Sequence, residues 1–78
     1  MHSLAIEFDD HAIDVSFTAT ELHVFLADGR SISAPLEWFP RLRDATKQER
    51  NEWRLIGHGI GIHWPKIDED IAVKTLMN

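Results

Sequence analysis

Two runs with a period of two, one on each side of Asp28-Gly29, constrain this chain more than any other feature in it. Leu22, Val24 and Leu26 alternate with His23 and Phe25 before the pair, and Ser31, Ile32, Ser33 and Ala34 follow it. Alternation puts successive side chains on opposite faces of a strand. Asp-Gly between two such runs signals a two-residue hairpin loop, because both central positions need positive φ. Upstream, Ile13, Val15 and Phe17 alternate with Asp14, Ser16 and Thr18. The pattern predicts an antiparallel meander with strands at about 13-17, 22-26 and 30-34, ended by Pro35. Leu4, Ile6 and Phe8 also alternate, which adds an edge strand to the expectation.

The texture changes at "PLEWFPRLRDATKQERNEW". Leu36, Trp38, Phe39, Leu42 and Ala45 fall at helical spacing, which predicts a helix at about 37-44. Pro40 complicates it, because the residue before a proline avoids the α region. Either Pro40 sits in the first turn or the helix starts there. "TKQE" is a capping box: Thr46 can accept from the backbone of Glu49 while Glu49 reaches back, so a second short helix should run over about 47-53. "RLIGHGIGIHWP" returns to extended structure, with a strand at about 55-63. Asp68, Glu69 and Asp70 then suit the first turn of a short C-terminal helix, since acids favour the positive end of the helix dipole. Ile71 and Val73 also permit a strand, so the state of 70-77 stays open. The fold class expected is α+β, in a single domain over 1-78.

Size and charge narrow the function. A chain of 78 residues has a thin core. It lacks cysteine, so no disulfide or thiolate metal site supports it, and small unstapled domains often gain stability by pairing. A homodimer or a tight protein partner is therefore expected. No apolar run approaches the ~20 residues needed to cross a bilayer. "MHSLAIEFDD" lacks the basic start and apolar stretch of a signal peptide, so the expected location is cytoplasmic, in a bacterial-type chain with no membrane association. The net charge of −5 is uneven: residues 1–28 hold six acids and no Lys or Arg, while 29–64 hold six bases against four acids. An acidic chain is poorly suited to nucleic acid, where phosphate neutralisation dominates affinity.

The stretch "GHGIGIHWP" resembles chemistry more than any other. In a strand, Gly57, Gly59 and Gly61 share one face, and His58, Ile60, Ile62 and Trp64 the other. A dinucleotide fingerprint needs a wider last spacing and a following helix, and both are missing. Interior glycines usually mark close approach of another element, so the bare face is expected to be packed by a helix or a second chain. A second reading joins His63 to Asp68 and Asp70 as a metal or small-molecule site at 63-70, but the spacing matches no established ligand pattern. No cysteine nucleophile or G-x-S-x-G elbow is present, and no nucleophile, base and orienter set can be assembled. A non-catalytic chain with no cofactor is expected.

From about Ala12 onward the chain resembles the DUF2442 family of small bacterial proteins. The residues that carry the resemblance are "LADGRSISAPLEWFPRL" (26–42), then Ala45, Thr46, Glu49, Arg50 and Trp53, then "GHGIGIHWPKIDEDIAV" (57–73). The resemblance implies an α+β fold with a meander and a helical segment. It also implies a context, since such proteins are associated with toxin–antitoxin pairs. Some members carry an additional helix-turn-helix domain, which is not seen here and lowers the expectation of direct DNA reading. No catalytic residue is established for the family, so none is carried over.

The function expected is an antitoxin-like, protein-binding regulatory module facing a toxin-like partner. Trp38, Phe39, Arg41, Trp64, Asp68, Glu69 and Asp70 are its expected binding surface. The alternative is a nucleic-acid-binding regulator using the basic segment 41-54 through Arg41, Arg43, Lys47 and Arg50.

Overall fold

Alternation is realised as pairing. In a computed structural model that describes residues 8–77, β1 (Ala12–Phe17), β2 (Glu21–Leu26) and β3 (Ser31–Pro35) form an antiparallel meander in the order β1-β2-β3. A second three-stranded antiparallel sheet follows, from β4 (Arg54–Ile56), β5 (Gly61–Trp64) and β6 (Glu69–Ala72), in the order β4-β5-β6. The connection between the sheets holds a 3-10 turn at Leu36–Trp38, α1 (Pro40–Arg43) and α2 (Lys47–Asn51), and α3 (Val73–Leu76) follows β6. The fold is α+β, as expected. Leu4 and Ile6 of the anticipated edge strand lie outside the described residues, and Phe8 is in no regular element.

Three strand expectations change in detail. The register of β1 against β2 slips between Ala12 and Asp14, which makes Ile13 the extra residue of a bulge. Ile13 is therefore 58% exposed, while Ala12 and Val15 are buried and Phe17 packs on the core. The Asp28-Gly29 loop has positive φ only at Gly29, +95°. Gly29 N–H donates to Leu26 O at 3.1 Å and Leu26 N–H donates to Arg30 O at 2.8 Å, so the loop holds three residues and closes on a glycine bulge.

The third difference concerns the glycines. The expected strand over 55–63 is a hairpin. Gly57, His58 and Gly59 all take positive φ (59°, 58° and 97°), which no strand accommodates. The chain reverses there, and Ile56 pairs with Gly61 across β4 and β5. The glycines serve a turn and a close approach: a Cβ on Gly59 would overlap the carbonyl O and amide N of Ala12. The backbone of the second hairpin thus seats directly on the first strand of the other sheet.

Helix boundaries follow local chemistry. Phe39 keeps a non-helical backbone before Pro40, and Pro40 is the first residue of α1, so the helix begins there and a separate 3-10 turn precedes it. The capping box of α2 is complete, with Thr46 Oγ1 accepting from Glu49 N–H at 3.1 Å and Glu49 Oε1 accepting from Thr46 N–H at 2.8 Å. The helix ends at Asn51, short of the expected residue 53. At the C-terminus both local readings are used in succession: Ile71 lies in β6, and the expected short helix starts at Val73. The acidic triplet does not open that helix, because Asp68 is in the β5–β6 turn and Glu69 and Asp70 are in β6.

One apolar cluster joins the parts. Leu22, Val24 and Leu26 of β2 meet Leu42, Ile62, Trp64, Ile71, Val73 and Leu76 from the helices and the second sheet. Each large side chain so buried contributes roughly 1.5–3 kcal/mol relative to exposure. No helix among the described residues is long and apolar enough to cross a membrane.

Candidate functional site

The expected binding surface divides. Trp64 is fully buried. Its indole Nε1–H donates to Arg50 O at 3.0 Å, and Phe17 meets its ring edge-on with centroids 6.3 Å apart. The period of β5 puts Trp64 on the same inward face as Ile62, so it is a core residue, and its expected place on the surface is corrected. Trp38 is the opposite case, 61% exposed on the 3-10 turn between Pro35 and Pro40. Phe39, next to it, is half-buried against the core.

Arg41 and Asp68 are brought together. Arg41 Nη1 donates to Asp68 O at 2.6 Å, which fastens α1 to the β5–β6 turn across 27 positions. Asp68 takes φ of 52° in that turn, a conformation Asp tolerates better than most residues. Glu69 is half-buried, and its Oε1 accepts from Asp70 N–H at 3.2 Å. Asp70 Oδ1 lies 2.5 Å from His63 Nδ1, its cross-strand neighbour. The proposed ligand set of His63, Asp68 and Asp70 is thus reduced to one His–Asp pair. Among the described residues no three His, Cys, Asp or Glu side chains are grouped so as to hold a metal ion.

The basic strip is largely committed to the fold. Arg43 contacts Asp44 at 3.0 Å and Glu37 at 3.3 Å, and the Asp44 carboxylate raises its already high pKa. Arg50 Nε donates to Leu42 O at 2.8 Å and its Nη2 to Arg43 O at 2.7 Å, which satisfies carbonyls at the end of α1. Lys47 is exposed at the start of α2. The four cations therefore do not form one surface of free charges.

Two features escaped the sequence reading. The first is the carboxylate of Asp28, which accepts from Asp9 N–H at 2.9 Å, Arg30 N–H at 3.0 Å and Arg30 Nε–H at 2.8 Å. The Arg30 side chain chiefly holds its pKa down at about 2. Its only sequence trace is the acid and base flanking Gly29. The second is an open groove of about 830 Å³ lined by Phe8, Asp9, His11, Ile60, Val73 and Lys74, among others. Phe8 and Ile60 are both well exposed there. Ile60 was expected on a strand face, and the turn at 57–59 is what carries it outward.

His63 has a carboxylate partner in Asp70, and no hydroxyl is hydrogen-bonded to its ring among the described residues. Trp38 is the most exposed of the three tryptophans, on a short turn bracketed by Pro35 and Pro40.

The comparisons agree with this shape and supply no activity. The model of a family described as "Protein of unknown function (DUF2442)" matches residues 12–78. No curated protein matches the chain. A crystal structure of a protein of unknown function from Rhodospirillum rubrum is similar in fold, with a TM-score of 0.73 at 23% identity, over 86% of this chain and 83% of that one.

Proposed function

We propose a role that starts from what the chain is, a member of the DUF2442 family of proteins of unknown function: it is a small, non-catalytic, antitoxin-like module that acts in the cytoplasm by binding and masking a toxin-like protein. The observation that carries this reading is Trp38, 61% exposed on a turn fixed by Pro35 and Pro40. A large, stiff aromatic side chain held out to solvent loses little entropy on binding and buries much area. Arg41 and Asp68, joined at 2.6 Å, hold α1 against the second sheet, and so steady the segment that carries the tryptophan. A net charge of −5 complements a basic, nucleic-acid-cleaving partner and speeds their encounter.

The test is a binding experiment with the product of the adjacent gene, co-expressed with the full chain. A stoichiometric complex should survive size-exclusion chromatography, and Trp38→Ala should weaken it about 30-fold or more, as truncation of a hot spot does. The free variant should keep its melting temperature. Absence of a complex, or equal affinity for the variant, removes this reading. A homodimer through the same residue is distinguished by mass: the isolated chain would then sediment as a dimer that Trp38→Ala dissociates.

A further inference from the structure

A second cleft, of about 530 Å³, lies between the β1–β2 turn and α2, lined by Phe17, Thr18, Ala19, Lys47, Arg50 and Asn51. Two cations line it and no carboxylate does, in a chain of net charge −5. The nearby carboxylates are engaged elsewhere: Glu49 accepts from Thr46 N–H, and Glu21 lies 3.2 Å from His23. Arg50 is fixed in place by its bonds to Leu42 O and Arg43 O and by its position 5.7 Å over the Phe17 ring. Those acceptors are neutral carbonyls, and among the described residues neither the Arg50 guanidinium nor the Lys47 ammonium takes part in an ion pair. Thr18 Oγ1 accepts from Thr20 N–H and Glu21 N–H, which leaves its hydroxyl proton to donate. A concave wall of one sign focuses the field and concentrates counter-ions.

We propose that this cleft binds the phosphate group of a small phosphate monoester. Two cations, a hydroxyl and the Asn51 amide match a dianion with three acceptor oxygens, and exceed what a single carboxylate can satisfy. The volume lies within the range of small-molecule sites. Phe17 and Ala19 form an apolar wall for the remainder of the ester. The site is separate from Trp38, so it stands or falls independently of the protein-binding reading.

The test uses the full chain with inorganic phosphate and with adenosine monophosphate as probes, against sodium chloride at matched ionic strength. Both probes should raise the melting temperature by several degrees, since a ligand that binds only the folded form stabilises it, and both should shift the amide resonances of Thr18, Lys47 and Asn51. Lys47→Glu, at an exposed first helical position where an acid is tolerated, should weaken both by tenfold or more, and Trp38→Ala should leave them unchanged. An equal thermal response in wild type and Lys47→Glu would mark a general salt effect and overturn the proposal. So would a response to inorganic phosphate without one to the monoester, or binding of a single-stranded oligonucleotide without binding of the monoester.

Discussion

Gly59 rests on the backbone of Ala12, with no room at Gly59 for even a methyl group. The contact joins two elements that neither sheet could connect alone: the turn of the second hairpin and the first strand of the meander. Val73 N–H donates to Ile60 O at 3.0 Å just beyond it, so the start of α3 is tied to the same turn. The bulge at Ile13 lies beside this contact, and the local slip in register leaves Ala12 facing inward where the turn can reach it.

Gly59→Ala should therefore be among the most damaging single substitutions in the chain. It combines an unfavourable φ of 97° with overlap on an immovable backbone. The expected cost is about 3 kcal/mol or more. Gly29→Ala is the control: its φ is similar, at 95°, but a Cβ there meets nothing within 4 Å. Only conformational strain remains, on the order of 1 kcal/mol. Urea denaturation of the two variants side by side measures the difference, and equal costs would show that the Ala12 contact yields.

The tryptophans separate by environment. Trp64→Ala should cost about 3–5 kcal/mol, because it opens a cavity in the core and strands Arg50 O without its donor. Trp38→Ala should change stability by less than about 0.5 kcal/mol, since it removes a mainly exposed side chain. Acrylamide quenching gives a second measurement. In the wild type a readily quenched, red-shifted component should be present, and Trp38→Ala should remove it.

The tryptophans also show where sequence reading stops. Trp38 and Trp64 each lie next to a proline-bearing stretch, and no local rule assigns one to solvent and the other to the core. That division arises when β5 turns Trp64 onto the same side as Ile62. Where the signal was local, it was sufficient. Leu22, Val24 and Leu26 are buried as their alternation requires, and Thr46 with Glu49 forms the capping box their spacing implies. Where it depended on the sign of φ, it failed. Glycines at every second position read as a strand face, yet Gly57, His58 and Gly59 reverse the chain. Asp68, Glu69 and Asp70 read as a helix start because their charges suit one, but pairing with β5 draws Glu69 and Asp70 into a strand. The basic strip was legible as residues and illegible as a site, because Arg41 and Arg50 donate to carbonyls that only the folded chain brings near.

Acid should destabilise the protein in large part through Asp28. Its side-chain bond from Arg30 lowers its pKa from 3.8 to about 2 in the folded chain. A carboxylate depressed in this way stabilises fully above its unfolded value and progressively less as pH falls toward its folded one. The loss therefore lies between about pH 4 and pH 2. Asp9, held down chiefly by the His11 side chain, and Asp44, held down chiefly by Arg43, act in the same direction. Asp28→Asn should lower the melting temperature at neutral pH and flatten its dependence on pH within that window. A variant whose pH profile parallels the wild type would place the acid sensitivity elsewhere.

Thr46 and Arg50 stabilise α2 from its two ends, and their contributions should be coupled. Thr46→Ala removes the cap and should cost about 1 kcal/mol. Arg50→Lys cannot reproduce the fork that serves Leu42 O and Arg43 O together, and should cost about 1–2 kcal/mol through the acceptor left unpaired. The helix has only five residues, so fraying from the uncapped end reaches Arg50 within a turn and loosens its bonds before they are removed. The double variant should then cost less than the sum of the two, by about 0.5–1 kcal/mol. A double-mutant cycle in urea measures that coupling, and strict additivity would mean that Arg50 is held by its carbonyl partners and by Phe17 alone.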